Sequence, residues 1–247
     1  MRGLTYFISD IHLGAKYIAD ARAHEQAIVA WLRSIAPTAK ALYLLGDVLD
    51  YWYEYREVVP RGHTRFFGAL AELADSGVEI TWFKGNHDIW IFDYLPGEIG
   101  MKVVDGGLDT TIDGARFFME HGDGVGESRP SYRRMRAIFR NRFWQRLFSA
   151  IHPRWTVPFA HRWSSHSRST GTAASSELPD SHRLVQFARN YMAANGHVDY
   201  FVFGHLHIAA NKEIAPDSRL IVLGDAFSAM TYGVFDGKNF ELKKIQS

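Results

Sequence analysis

Short apolar runs alternate with longer amphipathic ones through the first hundred or so residues of this chain. Residues 4–9 alternate β-branched and aromatic side chains and predict a strand, while residues 22–35 carry Ile28, Val29, Leu32 and Ile35 at helical spacing. The continuous apolar run 41–45 is short enough for a buried strand, 64–76 predicts a second helix and 78–84 a third strand. An order of strand, helix, strand, helix, strand argues for parallel pairing in this half. Beyond it the pattern changes: residues 101–104, 110–112, 115–120, 200–203, 220–223, 230–235 and 240–244 read as short strands punctuated by Gly, Asp or Asn. Asp113-Gly114 and Asp236-Gly237 have the composition of hairpin turns. Two stacked sheets flanked by helices is the architecture this predicts.

No strand pattern occurs between residues 124 and about 177. Residues 131–151 predict one basic amphipathic helix with Met135, Ile138, Phe139, Phe143, Leu147 and Ile151 on one side. Pro153, Pro158 and the Ser/Thr/Gly run 164–176 then interrupt it, and a helix over 179–194 follows. The expected organisation is one domain over residues 1–247 with a helical cap inserted at 124–178. Internal repeats are absent.

Length and composition narrow this reading. With 247 residues and 47% apolar content the chain can bury one sizeable core. It has no cysteine, which excludes a disulfide framework and a zinc–thiolate site and fits a reducing cytoplasm. The apolar stretch at the N-terminus is too short for a signal peptide, and no run approaches the ~20 residues of a membrane span. The net charge of +1 conceals an asymmetry: residues 128–168 hold ten arginines and no Asp or Glu, so the rest of the chain carries −9. Eight aromatic residues are interleaved with those arginines. Such a segment is expected to be a distinct functional region.

The candidate chemistry lies in five blocks, each following a predicted strand: Asp10-Ile11-His12, Gly46-Asp47, Gly85-Asn86-His87-Asp88, His121-Gly122-Asp123 and Gly204-His205-Leu206-His207. Imidazoles, carboxylates and one amide oxygen suit Mn²⁺, Fe²⁺ or Zn²⁺, and the set is large enough for two ions sharing a carboxylate. Alternate residues at a strand end project to the same side, so Asp10 and His12 are expected to reach one ion in that way. His205 and His207 repeat the spacing from another strand. Gly46 and Gly204 would let backbone come close to the ions. A lone D-x-H or G-D is more often a turn or a cap, whereas five ordered blocks at strand ends are hard to explain without a metal site.

As a set the blocks resemble the calcineurin-like metallophosphoesterase superfamily, whose pattern is D-x-H, G-D-x-x-D, G-N-H-[DE], H-[GD] and G-H-x-H. Asp50 supplies the last position of the second block. The resemblance implies an α/β fold, a four-layer α/β/β/α sandwich. It also implies two divalent ions, most simply Mn²⁺, with Asp10, His12 and His207 on one, Asn86, His121 and His205 on the other, and Asp47 bridging. By the same resemblance, water activated between the ions attacks phosphorus in line and His87 protonates or stabilises the leaving oxygen. Asp50, Asp88 and Asp123 would orient these groups.

Within that superfamily, Gly46-Asp47-Val48-Leu49-Asp50-Tyr51-Trp52 is similar to the second block of the UDP-2,3-diacylglucosamine diphosphatases of Gram-negative lipid A synthesis, which reads G-D-[LV]-[FL]-[ED]-x-W. That family also carries a helical cap after the H-G-D block. The similarity implies a lipid-nucleotide substrate, a peripheral position on the anionic, cytoplasmic face of the inner membrane and no obligate protein partner. Tyr132 falls near the family's sugar contact, with Arg129, Arg133, Ser165 and Arg168 as further substrate contacts. Enterobacterial-type members read G-N-R-D where this chain has Gly85-Asn86-His87-Asp88, and their N-S-K run is absent, which points to a divergent, Bacteroidetes-like branch. Arginines with interleaved aromatics also suit single-stranded nucleic acid, so a metal-dependent phosphodiesterase or nuclease of the same superfamily is the alternative expectation.

Overall fold

A computed structural model describes residues 2–158 and 178–246. Ser165 and Arg168, and with them much of the second half of the expected cap, lie outside the described residues.

Strand β1 (Leu4–Ile8) shows how the layers arise. Successive side chains leave a strand on opposite faces, so Tyr6 and Ile8 enter one core while Phe7 enters another. The first of these cores lies against helices α1 (Ala21–Ile35) and α2 (Thr64–Asp75), which contribute Ile28, Leu32, Phe66 and Leu70. Helix α1 begins where the Asp20 carboxylate accepts the Ala23 amide at 2.8 Å, a side-chain N-cap. Strands β2 (Ala39–Leu44) and β3 (Glu79–Phe83) follow these helices, and a short helix α3 (Tyr94–Ile99) precedes β4 (Lys102–Val104).

The second sheet is built from β5 (Leu108–Ile112), β6 (Ala115–Glu120), β7 (Tyr200–Phe203), β8 (Ala209–Ala215) and β9 (Ser218–Leu223), and β10 (Thr231–Phe235) and β11 (Phe240–Lys244) return to the first sheet. Sheet orders are β11-β10-β1-β2-β3-β4 and β5-β6-β7-β9-β8. In the second sheet Phe201, Phe203, Leu220 and Val222 pack toward helix α6 (Arg183–Asn195), while Val202, Ile221 and Leu223 face the first sheet. Between the sheets the filling is aromatic: Phe7 lies 5.3 Å from Tyr43 and 5.8 Å from Phe117, and Phe117 lies 4.9 Å from Tyr200. The expected α/β/β/α order is therefore present.

Strands β1 to β4 pair in parallel as expected, and β6, β7 and β9 of the second sheet are parallel neighbours too, joined by a long crossover and by the β8 hairpin. Two expectations are corrected. The single helix expected over 131–151 is two helices, α4 (Pro130–Arg140) and α5 (Arg142–Ser149). Asn141 breaks them apart: its backbone is extended (φ −80°, ψ 124°), and its side chain accepts the Phe143 amide to cap α5. The apolar stripe expected on that helix is consequently divided. Phe139 and Phe148 pack on Trp90, while Ile138, Phe143, Leu147 and Ile151 are exposed. Among the described residues no helix is long and apolar enough to cross a membrane.

Candidate metal centre

Six parallel strands end on the same side of the sandwich, and their connecting loops carry the five blocks. Asp10 and His12 follow β1, Asp47 follows β2, Asn86 to Asp88 follow β3, His121 follows β6, and His205 and His207 follow β7. The carboxyl ends of parallel strands are the usual place for ligands in open α/β sheets. The sixth loop, after β9, carries Asp225 and Phe227.

Strand alternation is not what aims Asp10 and His12, since β1 ends at Ile8 and both residues adopt the left-handed conformation, with φ of 52° and 50°. Asp47, His205 and His207 do the same, with φ of 51°, 67° and 56°. Side-chain-bearing residues avoid this region, at a cost of ~1–3 kcal/mol each where the surroundings impose it. The glycines make room for such tight loops. A Cβ on Gly46 would lie 2.7 Å from His121 Nδ1, one on Gly204 would lie 2.7 Å from Asp10 Oδ2, and one on Gly85 would overlap the Asp47 carboxylate.

The result is a convergent set of nitrogen and oxygen atoms. His207 Nε2 lies 3.1 Å and His12 Nε2 3.6 Å from Asp10 Oδ1. His121 Nε2 lies 3.3 Å from Asp47 Oδ2 and 3.3 Å from Asn86 Oδ1, and His12 and His87 each place Nε2 3.8 Å from the same Asp47 oxygen. Ligand atoms of Asp10, His12 and His207, of Asp47, His121 and His205, and of His12, Asp47 and His87 lie within 4.8 Å of one another in each trio. Asp10 Oδ1 is buried and accepts no hydrogen bond, as expected of an oxygen directed at a cation. The mixed donor set fits borderline divalent ions, and Asp47 stands where one carboxylate can serve two.

Buried groups behind these atoms fix their directions. His121 donates from Nδ1 to the Leu45 carbonyl at 2.7 Å, which leaves Nε2 facing the centre. His87 donates from Nδ1 to the Asp50 carbonyl at 3.1 Å, and the Asp50 carboxylate lies 3.7 Å from Nδ1 of both His12 and His87. Asp88 is fully buried and accepts the amides of Gly85 (2.7 Å) and Val48 (2.9 Å) and the Trp82 indole N–H (3.1 Å), binding the second and third loops together. Asp50 and Asp88, expected to orient the catalytic groups, stand behind the convergent ligand atoms. His24, which lies outside the five blocks, donates to the Ile11 carbonyl at 2.8 Å and props the first loop.

Electrostatics follow from this geometry. Burial alone would raise the Asp10 carboxyl, but the neighbouring imidazoles of His12 and His207 outweigh it and hold the group far below the usual carboxylate range. Asp47 is likewise buried, yet the imidazoles of His121 and His87 keep it well below normal. Burial and the neighbouring Asp47 charge push Asp88 up to about 6 against the opposing amide of Gly85. Burial pulls His121 down, but the Asp47 carboxylate lifts it well above the usual imidazole value. Burial, reinforced by His121, pushes His205 down to about 4.

Sequence reading missed two carboxylates that shape the surroundings. Glu54, 5% exposed, accepts the amides of Phe92, Asp93, Tyr94 and Leu95 and the Trp52 indole, closing the start of α3. Asp225 accepts three successive amides of the β9 loop. A Glu or Asp beside a turn gives little warning of such a role. Of the expected substrate contacts, Tyr132 donates to Asp123 Oδ2 at 3.4 Å, and Arg136, which had no assigned role, pairs with that oxygen at 2.8 Å. Arg129 is turned to Glu127 at 2.7 Å, and Arg133 is exposed on α4.

Residues 4–209 match the calcineurin-like phosphoesterase family model. A UDP-2,3-diacylglucosamine hydrolase of Porphyromonas gingivalis is 40% identical over 100% of this chain and 99% of its own length. Proteins of the same name from Ralstonia nicotianae and Proteus mirabilis are 31% and 28% identical, over 71% and 87% of this chain and 64% and 86% of theirs. Ligand loops, layer order and family match agree, and the chain belongs to the calcineurin-like phosphoesterases.

Proposed function

We propose that this chain hydrolyses the pyrophosphate of UDP-2,3-diacylglucosamine, releasing 2,3-diacylglucosamine 1-phosphate and UMP, with two ions of the Mn²⁺ type. The observation that carries this reading is the full-length similarity to the Porphyromonas protein, which runs through α4 and α5 as well as the ligand loops. Asp10, His12 and His207 would hold one ion, Asn86, His121 and His205 the other, and Asp47 both. When bound, the ions polarise phosphoryl oxygens and lower the pKa of water at the reaction centre.

The chain's own contribution is position and proton transfer. Asp50 sets the rings of His12 and His87, Asp88 ties their loops together, and the Leu45 carbonyl sets His121. With Nδ1–H committed to the Asp50 carbonyl, protonated His87 has Nε2–H left to donate to the leaving oxygen. Tyr132, Arg129 and Arg133, with Ser165 and Arg168 outside the described residues, are the sugar and phosphate contacts of this reading. A crevice of about 360 Å³ bounded by Leu13, Tyr51, Tyr55, Val58, Pro153 and Val157 offers an apolar berth for an acyl chain. Exposed Phe143, Trp144, Leu147, Ile151 and Trp155, set among arginines, suit the anionic cytoplasmic face of an inner membrane.

The test is turnover by purified, Mn²⁺-loaded protein, with UMP and diacylglucosamine 1-phosphate as the expected products. Ready cleavage of an oligonucleotide or bis(p-nitrophenyl) phosphate, with the lipid nucleotide untouched, would overturn the substrate in favour of a nuclease or phosphodiesterase.

A further inference from the structure

The metal centre has two flanks, and α4 and α5 reach only one of them among the described residues. They approach it over the loops after β3 and β6, where Phe139 lies edge-on to Trp90 at 5.9 Å and Tyr132 reaches Asp123. The opposite flank is made by the loops after β1 and β9. Two aromatic rings stand there. Phe227 lies 5.4 Å from the His207 ring and 5.8 Å from the His12 ring, and Tyr17 lies 5.5 Å from Phe227 and 6.4 Å from His12.

The turn presenting Phe227 is rigidly made. Asp225, 4% exposed, accepts the amides of Phe227, Ser228 and Ala229 on one carboxylate oxygen at 3.3, 2.6 and 2.8 Å. The ring is thereby held at the rim of the His12 and His207 pair. Tyr17, 39% exposed, adds a solvent-facing ring beside it. The proposed mechanism uses neither ring.

We infer that Tyr17 and Phe227 are the binding site for the nucleobase of the substrate. The inference rests on the proposed function in that the substrate is a nucleotide. A pyrophosphate seated between the two metal trios has two substituents, and the chain offers each a different flank. The acylated sugar goes beneath α4 and α5, where the arginines lie. The nucleoside leaves toward β1 and β9, where its base meets aromatic faces. Stacking of a base on such rings is worth roughly five- to hundredfold in affinity and does not depend on which base it is.

Calorimetric titration of the Mn²⁺-loaded full chain with UMP and with ribose 5-phosphate tests this, because the two differ only in the base. Wild-type protein is expected to bind UMP about tenfold more tightly. In Tyr17→Ala and in the Tyr17→Ala/Phe227→Leu double variant, UMP affinity should fall to that of ribose 5-phosphate, while Tyr17→Phe keeps the preference. No preference in the wild type, or equal weakening of both ligands in the variants, overturns the base site. Lipid-nucleotide turnover by the wild type is scored separately. Its absence removes the proposed function, whereas turnover without a UMP preference removes the base site alone.

Discussion

The ligand loops and the α4–α5 region solve opposite problems. Around the centre Asp10, His12, Asp47, Asp88 and His121 are at most 1% exposed, and each is held by named neighbours. Helix α4 has no buried residue, and α5 buries only Gln145, which donates to the Phe139 carbonyl at 2.9 Å. In the first region the fold dictates residue identity, so strain and burial are tolerated because surrounding groups offset them. In the second, Ile138, Phe143, Trp144 and Leu147 face outward among arginines, as exposed apolar groups at a docking surface do. Buried identity here speaks of chemistry, and exposed apolar identity is what the proposed membrane docking calls for.

That contrast can be broken most directly at the bridge. Asp47→Ala should abolish turnover and reduce bound Mn²⁺, measured by metal analysis, while secondary structure by circular dichroism is retained. Gly85→Ala forces a methyl group onto the Asp47 carboxylate and should lower stability by about 2–4 kcal/mol in denaturant titration. Arg136→Met removes the ion pair that joins α4 to Asp123, and a kcat loss of about tenfold with little change in stability would mark the point where the two regions communicate. Trp144→Ala should leave stability within ~0.5 kcal/mol of wild type yet weaken sedimentation with anionic vesicles. A core-like loss of stability there would erase the contrast.

The smallest expected effect concerns pH. Burial lowers the His24 imidazole from its ordinary 6.5, so the folded chain keeps it neutral. Its stabilising contribution is present above pH 6.5 and is lost as acidification lets the unfolded chain take up a proton the folded one refuses. His24→Gln should therefore flatten the fall of melting temperature below that pH, most clearly near neutral on the acid side. An unchanged slope would assign the acid sensitivity to other groups.

Sequence periodicity made β1, β2, β3 and both long helices of the first half legible, because each has a full apolar face to bury. Strand β8, Ala209–Ala215, was not, since a sheet-edge strand of alanines and polar residues lacks a strong alternating signal. Helix α3 is six residues long and contains Pro96 and Gly97, and its start depends on Glu54, some forty positions earlier. The break at Asn141 was hidden because an amphipathic pattern continues across it. At the centre, residue types and spacing picked out side chains that the fold brings together, but spacing alone suggested strand alternation where the backbone is left-handed. Conformations of that kind are set by neighbours far apart in the chain, such as Gly204 against Asp10, and leave no local signature.

The placement of indoles gives the protein two separate optical reporters. Trp31, Trp52 and Trp82 are 5%, 0% and 0% exposed and report on the first-sheet core and, through the Trp82–Asp88 hydrogen bond, on the loops behind the ligand atoms. Trp144 and Trp155, at 47% and 69% exposed, emit from an aqueous environment until something apolar covers them. A blue shift and loss of acrylamide quenching on adding vesicles, with the buried population unchanged, would therefore record docking in the unlabelled chain while it still turns over substrate.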